Sequence, residues 1–256
     1  MQALIISGGH LEDAFATSFI QQNTYDLTIA ADSGMKFFYQ KGWIPDYIVG
    51  DFDSVTSEIL QKFLDITKRK EIKQKESSGL KKPNSTQQKE SSGLENIEEK
   101  ISGTESKQPI ILQFQPEKDE TDTEIAIRTA IKQGCKTIHI LGATTGNRID
   151  HLLGNIHLLG IAMEHGVECL MLDAYNRIRM INKGIVIKKE EQYGKYVSLL
   201  PFTSKVTGLT LTGFKYPLDC YTMECYHSLG VSNEITESQA MISFQDGVLL
   251  VIESRD

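Results

Sequence analysis

The chain has 256 residues, 40% of them hydrophobic and 24% charged, with a formal net charge of −7. That length suits one large domain or two modest ones, and the composition is that of a globular protein able to bury a core. The acidic balance argues against a nucleic-acid binder, which needs a broad basic footprint, although a metal ion or a local loop can still bring a polyanion such as ATP to an acidic surface.

The start, residues 1–10, lacks a basic region followed by a long apolar stretch, so no secretory signal is expected. No run approaches the ~20 apolar residues of a membrane span. The four cysteines, Cys135, Cys169, Cys220 and Cys225, contain no CxxC pair. They read as reduced, structural cysteines of a cytoplasmic protein rather than a zinc or redox site.

In chain order, residues 3–7 (ALIIS) read as a strand, 11–22 as a helix and 27–31 as a second strand ending at Asp32-Ser33-Gly34. A short helix follows over 35–41. A third strand over 47–50 enters Asp51-Phe52-Asp53-Ser54. Further strands are expected over 110–114, 137–142 and 168–173, with helices over 122–133 and 151–165. Continuous apolar strands separated by helices predict an α/β domain of three layers, its mostly parallel sheet covered on both faces. Ligands bind such sheets at the carboxyl ends of the strands, where the polar motifs lie.

After about residue 176 the pattern changes. Residues 177–181, 185–188, 196–200, 209–212, 240–244 and 248–252 read as strands with no helix between them, and Asp246-Gly247 reads as a hairpin turn joining the last two. The expectation is an amino-terminal domain over 1–176 and a small antiparallel β-sandwich over 177–256. One segment fits neither. Residues 67–108 hold no aromatic side chain and repeat KESSGL at 75–80 and 89–94. This composition predicts a disordered surface insertion, because it cannot bury enough apolar surface to offset the entropy of ordering. A regulatory or partner-binding loop is the alternative.

Four segments can carry chemistry. Asp51 and Asp53 are two apart, and in extended backbone they project to one side. Two such carboxylates at a strand end suit Mg²⁺, a cation that takes hard oxygen ligands; a polar turn capping the next helix explains them equally. Gly50 beside them leaves room for a ligand. The run Lys118-Asp119-Glu120-Thr121-Asp122-Thr123-Glu124 holds a capping box, Thr121 with Glu124. It also holds a lysine able to meet a phosphate, and Asp119 or Asp122 as a further metal ligand.

The third segment runs from Gly142 to His151 and links a strand to a helix. Gly146 allows a tight turn, and Arg148 can clamp phosphate oxygens. Asp150 reads either as part of a site or as an N-cap with His151 at N1. No P-loop occurs, and Ser7-Gly8-Gly9 is not a dinucleotide fingerprint but a short turn after the first strand that can approach a ligand. The fourth is 230–234 (GVSNE), where Ser232 and Asn233 offer neutral donors and acceptors for a heterocycle edge, or simply form a polar loop. Trp43, the single tryptophan, reads as a packing residue.

Together these segments resemble the thiamine pyrophosphokinase family. The matching stretches are AADSG (30–34), PDYIVGDFDSV (45–55), EKDETDTEIAI (117–127), GNRIDHLLGNIHLL (146–159), TGFKYPL (212–218) and GVSNE (230–234), in the family's order. The resemblance implies transfer of a pyrophosphoryl group from ATP to thiamine by attack on the β-phosphorus. It also implies a homodimer whose active site lies between the α/β domain of one subunit and the sandwich of the other. By motif, Asp51, Asp53 and Asp122 would hold Mg²⁺ with Asp32 nearby on the nucleotide side. Lys118, Asp119 and Arg148 would line the phosphate path, with Asp119 a candidate proton acceptor. Asp150 and His151 would belong to the nucleotide loop, and Ser232 and Asn233 would contact thiamine. One departure is that TTGNR stands where the family usually has a tighter GGR. Two rival functions share parts of the pattern. One is a haloacid-dehalogenase-like phosphatase with Asp51 as nucleophile. The other is a non-catalytic nucleotide or thiamine sensor.

Overall fold

The computed structural model describes residues 1–53, 55–77, 108–114 and 119–256. The first part alternates strand and helix: β1 (Gln2–Ile6), α1 (Asp13–Gln22), β2 (Leu27–Ala31), α2 (Met35–Lys41), β3 (Tyr47–Gly50), α3 (Ser57–Ser77), β4 (Ile110–Gln113), α4 (Asp122–Lys132), β5 (Thr137–Leu141), α5 (Ile149–Glu164) and β6 (Glu168–Leu172). The second part is almost all strand: β7 (Asn176–Ile181), β8 (Ile185–Lys188), β9 (Tyr196–Pro201), β10 (Lys205–Thr212), β11 (Leu218–Glu224), β12 (Asn233–Glu234), β13 (Gln239–Ser243) and β14 (Leu249–Ser254). No helix among the described residues is long and apolar enough to cross a membrane.

A ten-stranded sheet runs in the order β12-β9-β14-β7-β6-β5-β1-β2-β3-β4. Strands β1 to β6 pair in parallel, and β7, β14, β9 and β12 continue the same sheet antiparallel. Helices α4 and α5 pack on one face through Ala126, Ile127, Ala130, Leu159 and Ala162. Helices α1, α2 and α3 pack on the other through Ala16, Ile20, Met35, Phe37, Phe38 and Phe63. Both faces are therefore dry, which is why β1 reads QALII without polar alternation and buries its last four residues.

Local signals explain α4. Thr123, Ala126, Ile127 and Ala130 are buried at helical spacing. The Thr121 hydroxyl accepts from the Glu124 amide at 3.2 Å. Glu124 does not complete the expected box; its carboxylate accepts from Arg128 Nε at 2.9 Å, a partner one turn along. Trp43 packs edge-on to Phe37, ring centroids 5.8 Å apart.

A second sheet, β11-β10-β13-β8, stacks on the antiparallel end of the first. The shared core joins Val197, Leu199, Leu249 and Val251 to Val206, Leu209, Leu211, Met223, Ala240 and Ile242. The sandwich thus uses the end of the long sheet as one of its layers. The expected hairpin at Asp246-Gly247 does not form. Strand β13 lies in the second sheet and β14 in the first, between β7 and β9. The turn instead crosses between layers, with the Thr207 amide donating to the Asp246 carbonyl at 3.0 Å.

Helix α3 runs to Ser77, into the first part of the segment that composition marks as a disordered insertion. Lys, Glu, Gln and Arg are good helix formers, so this stretch continues the helix without an apolar face of its own. Residues 78–107, and with them most of that expected insertion, lie outside the described residues. All four cysteines are free. Cys135 and Cys169 are buried as expected of structural cysteines, but Cys220 is exposed.

Candidate active site

The chain leaves β1 for β2, β3 and β4 on one side and returns to β5 and β6 on the other, so the order of connection reverses between β1 and β5. In open α/β sheets that reversal opens a crevice at the carboxyl ends. Here the two loops at the reversal are locked together. The Gly9 amide donates to the Gly142 carbonyl at 2.8 Å, and Thr145 Oγ1 donates to the His10 carbonyl. A Cβ on Gly9 would stand 2.4 Å from the Gly142 oxygen and 2.6 Å from that of Thr145. The bare backbone of this turn serves the approach of the chain to itself. Ser7 Oγ lies 2.7 Å from Thr123 Oγ1 in the interior, tying the end of β1 to the first turn of α4.

An acidic trio follows on the β2–β3 side. One carboxylate oxygen each from Asp32, Asp51 and Asp53 lies within 4.8 Å of the others. Asp32 follows β2 with φ +48, and Asp51 and Asp53 follow β3. The expected extended geometry at 51–53 is not what brings the pair together. Phe52 adopts φ +66, so the segment turns, and the Asp53 amide donates to Asp51 Oδ1 at 3.2 Å. Nor does Gly50 make room for a ligand: a Cβ there would meet Asp32 Cα and the Phe52 ring, each at 3.2 Å. Three convergent carboxylates fit a hard divalent cation such as Mg²⁺.

Asp122 opens α4 outside that trio. Asp119 is exposed just before it, and Lys118 lies outside the described residues. Arg148 and Asp150 face one another, Nε to Oδ1 at 3.1 Å and Nη2 to Oδ2 at 2.5 Å. Both are about two-thirds exposed. That bidentate contact pulls the Asp150 carboxyl down to about 2, helped by the His151 amide. The cap of α5 is Arg148 rather than Asp150, so Asp150 sits at N2 and His151 at N3.

Ser232 and Asn233 stand far from this cluster within one chain. Seven interstrand steps separate β12, which begins at Asn233, from β2, on the order of 30 Å at the usual strand spacing. Ser232 is exposed, has φ +59, and its amide donates to Ser198 Oγ at 3.0 Å. Asn233 is buried. Its Oδ1 accepts from the Tyr216 and Glu234 amides at 3.0 and 2.9 Å, and its Nδ2 donates to the Tyr216 carbonyl at 2.9 Å. It brackets the 212–218 loop to β12.

Sequence reasoning missed the side chains that fix these loops. Ser33 Oγ donates to the Gly8 carbonyl at 3.0 Å, and Asn155 Nδ2 donates to the Ala143 carbonyl at 2.9 Å. Both residues sit inside recognisable motifs, so the signal was present. What no local pattern carries is that each reaches to a different loop.

Comparison with known proteins extends these observations. Residues 21–102 and 92–171 match a family model described as the catalytic domain of thiamin pyrophosphokinase. Residues 184–249 match one described as its vitamin B1 binding domain. A thiamine pyrophosphokinase of Bacillus subtilis (strain 168) is 30% identical over 240 residues, 94% of this chain and 92% of the relative. A crystal structure of thiamine pyrophosphokinase from Bacillus subtilis superposes with a TM-score of 0.74 at 28% identity, covering all of both chains. One of thiamin pyrophosphokinase from Geobacillus thermodenitrificans gives 0.72 at 27%, covering all of this chain and 98% of that one.

Proposed function

Since the chain belongs to the thiamine pyrophosphokinase family, we propose that it transfers the pyrophosphoryl group of ATP to the hydroxyl of thiamine, releasing thiamine diphosphate and AMP. The observation that carries this reading is the acidic trio at the ends of β2 and β3, within the stretch matched by the family's catalytic domain. Catalysis of this kind rests on positioning and charge neutralisation more than on covalent chemistry.

Asp32, Asp51 and Asp53 would hold Mg²⁺, with Asp122 as a further ligand from α4. A bound Mg²⁺ supplies positive charge to phosphate oxygens. Arg148 has a planar fork suited to two phosphate oxygens, and it would exchange its contact with Asp150 for them. Lys118 would add a second cation by resemblance, and Asp150 and His151 would flank the nucleotide. The thiamine oxygen forms a bond to the β-phosphorus as the bond from that phosphorus to the AMP oxygen breaks. The hydroxyl proton passes to a carboxylate, for which Asp119 is the candidate.

The same reading includes a homodimer. Ser232 and Asn233 would meet thiamine, yet within one chain they stand on the order of 30 Å from the trio across the sheet. A site using both needs the sandwich of a second copy. Exposed apolar side chains on α5 (Ile149, Leu153) and in the 226–231 segment (Tyr226, Leu229, Val231) support such a contact.

Product analysis tests the reaction. The purified protein is mixed with ATP, Mg²⁺ and thiamine, and AMP with thiamine diphosphate, both dependent on thiamine, is expected. ADP, free phosphate, or no turnover by folded protein with metal present would reject it. A phosphoaspartate trapped on Asp51 would instead favour the phosphatase, although Asp51 follows the third strand of the chain rather than the first.

A further inference from the structure

Phe52 stands between the two carboxylates of the 51–53 turn, and its backbone is unusual. Its φ is +66, in the left-handed region that bulky side chains rarely enter. Glycine would adopt that conformation without strain. The ring, however, is 5% exposed and sits in the core cluster with Leu4, Ile6, Met35, Phe38, Ile48 and Phe63. It also lies beside Gly50, which borders the backbone that carries the third carboxylate. A Cβ on Gly50 would be 3.2 Å from both Phe52 Cε1 and Asp32 Cα, so Gly50 fills the space between the ring and the start of the Asp32 turn.

In an extended strand, residue 52 would point away from the face shared by residues 51 and 53. In the turn observed, the ring goes down into the core and the two acids stay above it. The Asp53 amide reaches Asp51 Oδ1 at 3.2 Å and the Val55 amide reaches the Phe52 carbonyl at 3.3 Å. Strained conformations of this kind persist only where the surroundings over-determine them, and they cluster where strain preorganises a site.

We propose that Phe52 is a positioning residue for the cation site: its buried ring pins the 51–53 turn in the left-handed conformation, so that Asp51 and Asp53 meet Asp32 before any cation arrives. A smaller side chain at 52 frees the turn to relax toward an ordinary conformation, which swings Asp53 away from Asp32. The inference rests on the reading that this trio holds a divalent cation.

The test uses Mn²⁺ alone, titrated into the full chain and followed by the loss of the free-ion electron paramagnetic resonance signal. Phe52→Ala, which removes the ring but keeps the left-handed strain, should bind Mn²⁺ roughly tenfold more weakly. Phe52→Leu, which restores a buried apolar anchor, should stay within about threefold of the natural chain. The Mg²⁺ concentration for half-maximal turnover should rise in step with the Mn²⁺ loss, while the thiamine KM moves less than about twofold. Gly50→Ala provides a second variant if Phe52→Ala does not fold. Its added methyl must shift the ring or the Asp32 backbone by a few tenths of an ångström, and a weakening of roughly threefold is expected. Asp51→Asn is the control. Unchanged Mn²⁺ affinity in Phe52→Ala, or in Gly50→Ala where that variant stands in, beside a weakened Asp51→Asn, overturns this inference alone. Natural protein whose Mn²⁺ binding ignores Asp51→Asn overturns the cation reading, and this inference with it.

Discussion

Glu253 on β14 lies opposite Arg177 on β7, and the guanidinium meets both of its carboxylate oxygens, at 2.8 and 2.6 Å. Arg179 adds a contact at 2.5 Å and the Tyr193 amide one at 3.0 Å. Glu253 is fully buried. Strand alternation puts Arg177 and Arg179 on the sheet face they share with Leu170 and Leu172 of the helical core and Ile181 of the sandwich core. The ion cluster therefore sits where the two apolar cores meet. Burial alone would raise the Glu253 carboxyl, but the hydrogen bond from Arg177 and the charges of Arg179 and Arg177 outweigh it and hold it below its ordinary value.

Removing that carboxylate leaves two mostly buried guanidinium groups without their shared partner. Glu253→Ala is expected to cost about 3–5 kcal/mol of folding free energy, read by urea unfolding at pH 7. A loss under about 1 kcal/mol would mean that both arginines reach water on their own.

His139 on β5 gives the fold a pH dependence. Its Nδ1 lies 2.9 Å from the Tyr25 hydroxyl and 3.5 Å from Gln2 Nε2. Burial first, and the charge of Arg177 second, pull its pKa down to about 4. The folded chain therefore keeps the ring neutral, while the unfolded chain takes up a proton below about pH 6.5. Stability falls as pH drops from 6.5 toward 4 and levels off below, by on the order of 3 kcal/mol in all, with about 2 kcal/mol gone by pH 5. Urea unfolding at pH 7 and pH 5 should show this difference shrink in His139→Gln. An equal difference in both proteins would assign the pH dependence to other groups.

Asp53→Asn is expected to lower turnover by ~100-fold or more while leaving the circular dichroism spectrum unchanged. Asp51→Asn and Asp32→Asn should match it, because each contributes an oxygen to the same point. Near-normal turnover in folded Asp32→Asn would remove Asp32 from the cation set and leave Asp122 as the third ligand.

Asn233→Ala should act through Tyr216. The substitution leaves the Tyr216 amide and carbonyl without their bracket. A stability loss of about 1–3 kcal/mol is expected, with a raised KM for thiamine and kcat within about twofold. An unchanged KM in the destabilised variant would leave Asn233 with a structural role only.

The amino-terminal half was highly legible. β2, α2 and β3 occupy the spans their apolar runs and turn residues indicate, the other expected elements differ by a residue or two at their ends, and helix α3 (Ser57–Ser77) is absent from the sequence reading altogether. Two strands carry too little apolar signal to be read from the sequence. β11 is exposed along most of its length, and β12 has only two residues, so neither carries an apolar pattern. The site was legible as a set of motifs rather than as a geometry. The motifs mark Asp32, Asp51 and Asp53 one by one, while the convergence of Asp32 with the other two is visible only in the fold.

Local residue patterns set the alternation of apolar strands and amphipathic helices, the antiparallel second part, and the acids at strand ends. These depend on neighbours a few residues apart. The tertiary fold decides that β14 inserts between β7 and β9, that Asp246-Gly247 crosses between layers, that Phe52 takes a left-handed conformation and that three carboxylates converge beside it. A two-residue period identifies a strand without saying which sheet receives it. A left-handed aromatic is held by core contacts from residues distant in the chain, and local spacing does not encode them.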